Sequence, residues 1–344
     1  MEPSAAKRKI LVTRNNAYLL GRLAQHPWID VDCFDQSASA IPPVELEARA
    51  KNCAGIICMI SDKISAKVLD SAGPSLKVVS TISVGFDHID VAICRERGIL
   101  VGHTPGTPVH LDENSRTCYA GCLHESTAEL AVALTFAAKR RLFESHVGAR
   151  HGEWGVVQMY QFCGTDVSRN TIGVIGMGEI GLTYARFMHR GFNCRILYTG
   201  PREKPNDVDA EFVDLEALLR RSDVVSIHSP LNEQTAGMLN ATTFAMMQPH
   251  AVLINTARGG IVDQDALVHA LTVGKIAAAA LDVTVPEPLP LDHRLYDLPN
   301  CIVVPHIGAA TVETRHRMVD RAVDNLLAGL TTSSLPYPIP SVQH

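Results

Sequence analysis

The feature that most constrains the fold is a glycine-rich turn between an apolar strand and a helix. Residues 171–181 read TIGVIGMGEIG, so a β-branched run leads directly into Gly176, Gly178 and Gly181. At this spacing the first glycine permits a tight turn, the second lets backbone approach a pyrophosphate at the helix N-terminus, and the third lets the helix pack close to its strand. In this context, at the head of a βαβ repeat, the motif predicts a dinucleotide-binding unit. The residues predicted to bind the cofactor here are Gly176, Gly178, Glu179, Ile180 and Gly181.

Short apolar strands alternate with helical stretches along the rest of the chain, which favours an α/β fold with parallel sheets. In the N-terminal third the predicted strands are residues 9–13, 55–59, 78–83 and 99–103. A helix is expected from Ser126, as its cap, to about Leu142, and the pattern then restarts. The strands of this second unit are predicted at residues 171–175, 194–199, 223–228, 251–256, 276–283 and 301–304. Six strands with crossover helices match a nucleotide-binding Rossmann sheet.

The two patterns predict a discontinuous first domain that is closed by a C-terminal helix, expected over residues 311–330. We therefore expect two Rossmann- or flavodoxin-like doubly wound parallel-sheet domains, with the nucleotide domain inserted in the substrate domain. The substrate domain would comprise residues 1–125 and 310–344, and the NAD(P)-binding domain would comprise residues 126–309.

Composition narrows the class of protein. The formal net charge is −5, from 31 basic and 36 acidic residues, and no basic stripe stands out, so a nucleic-acid partner is not expected. No apolar run approaches the roughly 20 residues of a membrane span. The first residues, MEPSAAKRKILVT, lack the apolar segment of a signal peptide, and nine cysteines without a CxxC pair indicate reduced thiols. These observations predict a cytoplasmic protein that does not contact a membrane.

The end of the second strand of the nucleotide unit bears on the choice of cofactor. An acidic residue is expected there in a protein that binds the 2′-hydroxyl of NAD(H). This chain has Tyr198, Thr199 and Gly200 at that place, followed by Arg202 and Lys204. Because cations attract a 2′-phosphate that a carboxylate would repel, NADP(H) is favoured, with Thr199, Arg202 and Lys204 as cofactor-binding residues. A solvated cationic loop, with NAD(H) as the cofactor, is the alternative.

Three polar residues follow apolar strands of the nucleotide unit. Arg258 follows AVLIN, Glu287 follows AALDV, and His306 follows CIVV. Ligands of open α/β sheets bind at the carboxyl ends of the strands, so the three side chains should gather at one crevice. Taken singly, each has a structural alternative, namely a surface arginine, a loop glutamate and a core histidine. Their shared position at strand ends favours a catalytic site.

The order of these motifs resembles that of the D-2-hydroxyacid dehydrogenases, and most closely their glyoxylate/hydroxypyruvate reductase branch. The motifs that carry the resemblance are STISVGFDHID (80–90), GVIGMGEIG (173–181), INTARGGIVDQDAL (254–267), KIAAAALDVTVPEPLP (275–290) and PHIGAAT (305–311). The resemblance implies an NADPH-linked reductase of short 2-keto acids, such as glyoxylate or hydroxypyruvate, that forms a homodimer through its nucleotide domain. The alternatives are another D-2-hydroxyacid dehydrogenase, acting on 2-ketogluconate for example, and a non-catalytic NAD(P)-sensing protein similar to the corepressors of this fold.

The resemblance also implies roles for individual residues. His306 would protonate the substrate carbonyl as hydride arrives from the nicotinamide, and Glu287 would pair with His306 and favour its protonated form. Arg258 would bind the carboxylate of the keto acid, because a planar guanidinium can grip a carboxylate at two points. The further residues implied are Val84 and Gly85, whose amides would hold the substrate carboxylate, Thr256 and Asp282, which would contact the cofactor near the nicotinamide, and Gly308, which would make a backbone contact beside the acid.

Two segments depart from the family pattern. Residues 106–125 replace a much shorter family link, and they represent either a surface insertion or translated intron sequence. The metal-ligand types in and next to this segment are His110, Cys118, Cys122 and His124. Their spacing is not a strong zinc pattern, so no metal is expected. Trp154 aligns with a family loop that reaches the partner subunit, and the alternative is a buried tryptophan that anchors its own loop.

Overall fold

The structure is a computed structural model that describes residues 7–36, 40–105, 122–156 and 158–340. The chain divides into two compact units, one formed by Met1–Leu123 with Thr311–His344 and the other by His124–Ala310. Most of the 106–125 insertion, including His110 and Cys118, lies outside the described residues. Within the described part, no helix combines the length and the hydropathy that a bilayer span requires.

The first unit is built on a five-stranded parallel sheet in the order β2-β1-β3-β4-β5, which is the flavodoxin-like order. Its strands are β1 (Arg8–Val12), β2 (Ile29–Cys33), β3 (Gly55–Cys58), β4 (Val78–Thr81) and β5 (Leu100–Gly102). The helices that follow them are α1 (Ala17–Leu23), α2 (Pro43–Ala50), α3 (Ala66–Ala72) and α4 (Val91–Glu96). The sequence analysis missed β2, because an edge strand with one exposed face reads Ile-Asp-Val-Asp-Cys rather than as a continuous apolar run.

The second unit contains a seven-stranded parallel sheet in the order β12-β11-β10-β9-β6-β7-β8. Its strands are β6 (Thr171–Ile175), β7 (Arg195–Thr199), β8 (Glu211–Phe212), β9 (Val224–Ile227), β10 (Val252–Asn255), β11 (Ala278–Leu281) and β12 (Cys301–Val303). The first six in chain order follow the Rossmann order, and β12 adds a further edge strand. The prediction of six strands was therefore wrong by one, because β8 has only two residues and no periodicity to detect. The prediction of two doubly wound parallel-sheet domains is confirmed.

The helices of the second unit cover both faces of its sheet. They are α5 (His124–Lys139), α6 (Leu142–Arg150), α7 (Glu179–Phe192), α8 (Leu215–Arg221), α9 (Ala241–Phe244) and α10 (Gln264–Thr272). Neighbouring residues of one strand point to opposite faces, so Val252 and Ile254 pack with α5 and α7 whereas Leu253 packs with α8 and α10. These two apolar layers hold the carboxyl ends of the strands in a fixed arrangement.

Helix α5 does not begin where the sequence analysis placed it. It starts at His124, so Ser126 is a buried residue of the first turn and not the cap. The helix ends at Lys139 rather than near Leu142, because Arg141 adopts a left-handed backbone conformation with φ of 53° and separates α5 from α6. Other predicted strand ends differ from the observed ones by no more than two residues.

The chain returns to the first unit with α11 (Val312–Thr331), which begins after Thr311, whose side chain caps the helix. This helix packs on the sheet of the first unit, on the face opposite α2 and α3. Ser80 on β4 donates a hydrogen bond to the carbonyl oxygen of Ala322 over 2.9 Å. A Cβ on Gly55 would lie 2.5 Å from Leu326, so the glycine lets α11 approach β3 closely.

Candidate active site

The glycine loop after β6 has the backbone that the sequence analysis expected. Gly176 has a φ of 95°, and its amide donates to the carbonyl of Thr199 at the end of β7 over 3.0 Å. A Cβ on Gly176 would lie 2.7 Å from the backbone nitrogen of Ser229, and one on Gly181 would lie 2.1 Å from the carbonyl oxygen of Gly176. These two glycines are therefore required by the close packing of strand, turn and helix.

Gly178 differs from both, because a Cβ there would meet no protein atom within 4 Å. Gly178 is the N-cap of α7 and provides no side chain to cap the first turn. The absence of a side chain thus leaves open space in front of the helix N-terminus, where a pyrophosphate is favoured.

Buried polar atoms without partners lie beyond the neighbouring strand ends. In the described part of the chain, Ser229 Oγ beyond β9 and Thr256 Oγ1 beyond β10 have no hydrogen-bond partner. A buried hydroxyl without a partner is unfavourable unless a ligand or water satisfies it. The residues at this edge therefore fit a bound dinucleotide, which Gly178, the first turn of α7, Ser229 and Thr256 would hold.

The loop after β7 carries the predicted cationic residues. Thr199 is half-buried at the end of β7, and Arg202 is exposed. The buried Tyr198 hydroxyl fixes the loop, since it donates to the carbonyl of Lys204 over 3.0 Å and accepts from the Lys204 amide over 2.9 Å. Among the described residues, no carboxylate lies within 4.0 Å of the Arg202 or Lys204 side chain, so both charges are open to an anion.

Arg258 stands just beyond β10 in a turn that other side chains hold. The buried Asn255 side chain donates to the carbonyl of Arg258 over 3.0 Å and accepts from the Ala257 amide over 3.0 Å. A Cβ on Gly259 would lie 2.2 Å from the carbonyl oxygen of Thr284, so the Arg258 turn packs directly against the loop after β11. The sequence analysis missed Asn255, although an asparagine at the end of a buried strand was a readable sign of a structured turn.

Glu287 lies in the loop after β11 and is oriented from both sides. Its Oε1 accepts a hydrogen bond from the Thr284 amide over 3.0 Å, and its Oε2 lies 2.8 Å from Nδ1 of His306. Gln264, at the start of α10, holds the same loop through two hydrogen bonds with the backbone of Val285, at 2.5 and 2.7 Å. Gln264 is the second residue that the sequence analysis missed, because nothing in its neighbourhood marks a contact with a distant loop.

His306 has a left-handed backbone conformation, with a φ of 53°, which is uncommon for a residue other than glycine. Asp282 at the end of β11 supports this turn. Its carboxylate accepts from the amides of Ile307 over 2.6 Å and Gly308 over 2.8 Å, and its carbonyl accepts from the His306 amide over 2.9 Å. A strained conformation of this kind persists because the surrounding bonds determine it. Asp282 and Gly308 therefore stabilise the backbone turn at His306, in addition to the cofactor contacts that the family resemblance implies for them.

The surroundings of Glu287 and Asp282 move the pKa values of these two carboxyls in opposite directions. Burial raises the pKa of Glu287, but the hydrogen bond and charge of His306, the Thr284 amide and the Arg258 guanidinium outweigh it, so the pKa of this carboxyl lies below its usual range. Burial raises the pKa of Asp282, and the two amides that it accepts from only partly offset that effect. Glu287 is consequently an anion at neutral pH and a suitable partner for an imidazolium.

Val84 and Gly85 belong to the other compact unit, in the loop after β4. Ser83 Oγ donates to the carbonyl of Gly85 over 2.6 Å, and His103 Nδ1 lies 2.9 Å from the carbonyl oxygen of Val84. The carbonyls are thus engaged, whereas within the described residues neither the Val84 nor the Gly85 amide donates a hydrogen bond. A loop with bound carbonyls and open amides presents donors to an anion.

The structure therefore brings together most of the predicted site residues within the His124–Ala310 unit. His306 and Glu287 are in contact, and the charge of Arg258 helps to lower the pKa of Glu287. Asp282 accepts hydrogen bonds that hold the turn at His306. The arrangement combines an imidazole that can give a proton, a carboxylate that orients it, and a guanidinium that can bind an anion. Glu179 and Ile180 open α7 behind Gly178, and their contacts with the cofactor stay a prediction.

Comparison with known proteins identifies the relatives of this chain. A family model described as "D-isomer specific 2-hydroxyacid dehydrogenase, NAD binding domain" matches residues 132–308, and its companion, described as the catalytic domain, matches residues 5–110. The glyoxylate reductase/hydroxypyruvate reductase of Homo sapiens is 40% identical over 335 residues, which cover 95% of this chain and 96% of that protein.

Two solved structures are similar over nearly the full length. The TT0316 protein from Thermus thermophilus has a TM-score of 0.86 and 40% identity, covering 96% of this chain and 100% of that one. An NADPH-dependent glyoxylate/hydroxypyruvate reductase from Sinorhizobium meliloti, solved in complex with NADP and malonate, has a TM-score of 0.82 and 30% identity, covering 97% of each chain.

Proposed function

The chain belongs to the D-isomer specific 2-hydroxyacid dehydrogenases, and on this premise we propose that it reduces glyoxylate and hydroxypyruvate to the corresponding 2-hydroxy acids with NADPH. Two relatives named for these two keto acids, one of them called NADPH-dependent, support the choice of substrate and cofactor. The single observation that carries the proposal is the contact between His306 and Glu287 at 2.8 Å beside Arg258, at the carboxyl ends of β10 to β12.

His306 is the proton donor in this proposal. Its Nδ1 faces Glu287, which leaves Nε2 as the nitrogen that can give a proton to the carbonyl oxygen of the substrate. The nicotinamide, when bound, supplies the hydride. Glu287 fixes the orientation of the ring and stabilises its positive charge, and Asp282 sets the backbone from which the ring projects.

Arg258 is proposed to bind the substrate carboxylate, and Val84 and Gly85, in the other unit, stay predicted substrate-binding residues. A guanidinium presents several N–H donors in one plane, so it can bind both oxygens of a carboxylate and orient the neighbouring carbonyl. The open amides after β4 supply donors of fixed direction. A guanidinium suits an α-keto acid, in which a carboxylate adjoins the reacting carbon.

Preference for NADPH is proposed from Arg202 and Lys204, whose charges have no carboxylate partner among the described residues. Arg202→Ala should raise the KM for NADPH about tenfold and leave the KM for NADH nearly unchanged, because only NADPH carries the 2′-phosphate. Arg220→Ala removes an exposed arginine on α8 that pairs with Glu216 and serves as the control. Equal effects of Arg202→Ala on both cofactors would contradict the preference.

The proposal is tested by steady-state oxidation of NADPH and NADH with glyoxylate, hydroxypyruvate, 2-ketogluconate and pyruvate. We expect the highest kcat/KM with NADPH and one of the first two acids. A preference for 2-ketogluconate would replace the proposed substrate with another of the family. Cofactor binding without turnover on any of these acids would support the non-catalytic sensing protein instead.

We further propose that the Met1–Leu123 and Thr311–His344 unit binds the substrate, that the His124–Ala310 unit binds the nucleotide, and that the protein is a homodimer. The dimer proposal is supported by exposed apolar side chains on α6 and in the segment that follows. They are Leu142, Phe143, Val147, Trp154, Val156, Met159 and Tyr160. The buried-anchor alternative for Trp154 is wrong, since this residue is 78% exposed. Val147→Glu with Met159→Glu should convert a dimer into a monomer in sedimentation velocity, because a carboxylate at either exposed apolar position would be buried against the partner.

A further inference from the structure

A cavity lies at the end of the seven-stranded sheet opposite the candidate active site. Its volume is about 580 Å³, and the residues that line it include Val252, Ala278 and Ile302, at or near the amino ends of β10, β11 and β12. The carboxyl ends of the same strands lead to Thr256, Asp282 and His306, so the two sites are separated by the length of a strand, about 10 Å or more. The volume lies in the range of small-molecule sites.

The wall of this cavity contains a buried lysine. Lys139, the last residue of α5, is 4% exposed, and the described residues offer its ammonium no hydrogen-bond or ion-pair partner. A buried charge without a partner is costly, so proteins usually pair it or use it to bind a ligand. Lys139 is therefore a candidate ligand-binding group of this cavity.

The other cations around the cavity are already paired. Arg141 donates to Glu144 through Nε over 2.8 Å, and Nε2 of His250 lies 2.6 Å from Oδ1 of Asp223. The second carboxylate oxygen of Asp223 accepts from the Thr171 amide over 2.7 Å. Lys139 is thus the cationic side chain of the cavity that has no partner among the described residues.

The remaining lining is mainly apolar, from Ala137 and Ala138 on α5, Leu271 on α10 and Leu298 before β12, among others. We propose that this cavity binds a small amphipathic monocarboxylate, whose carboxylate pairs with Lys139 and whose apolar body packs against these side chains. A single open positive charge matches one carboxylate, whereas an inorganic phosphate dianion would leave negative charge and its hydration shell in an apolar pocket.

Two acidic residues act on Lys139 from a distance. Burial lowers the pKa of Lys139, and the charges of Asp223 and Asp166 only partly offset that effect. Neither carboxylate bonds the ammonium directly, so its N–H groups are available to a ligand. A carboxylate ligand would complete this arrangement by accepting those donors.

The test uses the full-length protein and isothermal titration calorimetry with 3-phenylpropionate, and with 3-phenylpropanamide and inorganic phosphate as comparison probes. We expect saturable 1:1 binding of 3-phenylpropionate, and binding of the amide and of phosphate that is weaker by about tenfold or more. Lys139→Met keeps the length and apolar stem of the side chain and should weaken 3-phenylpropionate binding by about tenfold or more. Arg140→Met, on the exposed neighbour, removes the same charge and should change the affinity by less than about twofold.

A second variant covers the case in which Lys139→Met does not fold. Thr272→Trp adds bulk at the exposed end of α10 on the rim of the cavity and leaves Lys139 in place, so it should also abolish binding. Equal binding of the acid and the amide, or unchanged affinity in Lys139→Met or Thr272→Trp, overturns the proposal. Affinity that falls as the protein concentration rises would mean that a second copy of the chain covers the cavity, and this also overturns it. Cofactor and keto-acid kinetics do not enter the readout, so the result is independent of the proposed catalytic activity, although Phe143 lines the cavity and also belongs to the proposed dimer surface.

Discussion

Replacing Glu287 with glutamine should move the alkaline limb of the pH–rate profile to lower pH. The carboxylate accepts from His306 Nδ1 over 2.8 Å, and because glutamine is uncharged, the variant stabilises the imidazolium less. The two side chains are 37% and 34% exposed, so solvent screens the pair and its contribution is about 1 kcal/mol. Since one pH unit corresponds to about 1.4 kcal/mol, we expect a shift of about 0.7 unit.

The measurement is kcat/KM for glyoxylate from about pH 5 to 9 at saturating NADPH, for the wild-type protein and Glu287→Gln. Glu216→Gln, the same chemical change on the exposed face of α8, is the matched control and should leave the profile in place. The low-pH plateau should fall only modestly, because the glutamine oxygen can still accept from Nδ1 and keep Nε2 available. A profile for Glu287→Gln that overlays the wild-type curve would refute the pairing of this carboxylate with the catalytic acid.

The same geometry supports three further predictions. His306→Gln should lower kcat by about 10²–10⁴ with NADPH affinity kept, measured by steady-state kinetics and fluorescence titration, and retained turnover would exclude His306 as the acid. Arg258→Lys should raise the keto-acid KM about tenfold with a smaller change in kcat, and unchanged saturation kinetics would contradict the guanidinium clamp. Gly181→Ala should lower the free energy of unfolding by about 2 kcal/mol, because its Cβ would lie 2.1 Å from the Gly176 carbonyl oxygen, whereas Gly178→Ala should keep stability and weaken NADPH binding. Thermal unfolding measures the stability of both variants, and titration measures their NADPH binding. Equal losses of stability in the two variants would contradict this prediction.

Acid stability provides a related check on Glu287. Its pKa in the folded protein lies below the usual range, so its carboxylate stabilises the fold above the unfolded-state pKa and loses that contribution as the pH falls through the folded value. Glu287→Gln should therefore show a smaller loss of stability between about pH 5 and 3 than the wild-type protein does. Parallel pH dependence of the two proteins in urea unfolding would show that the pair does not contribute to folding.

An element of the fold could be predicted where its sequence pattern lies within a few consecutive residues. The buried strands β6, β9 and β10 and the turn at Gly176 each have such a pattern, in runs of four to six neighbouring residues, so they could be predicted directly. The edge strands β2 and β8 lack such runs, because one face or one edge of each meets solvent. The start of α5 was misplaced because Ser126 resembles a cap, although the packing of the helix buries it.

The sequence by itself determined the two α/β units, their order along the chain and the set of polar residues at the strand ends, because apolar periodicity and glycine spacing act over a few residues. The tertiary structure decided which partner each polar group has. The contact between His306 and Glu287 joins residues 19 positions apart, and the support of Gly308 by Asp282 joins residues 26 positions apart. Lys139, which has no partner among the described residues, could not be foreseen either, because its environment is assembled from α5, α10 and three strand ends that only packing brings together.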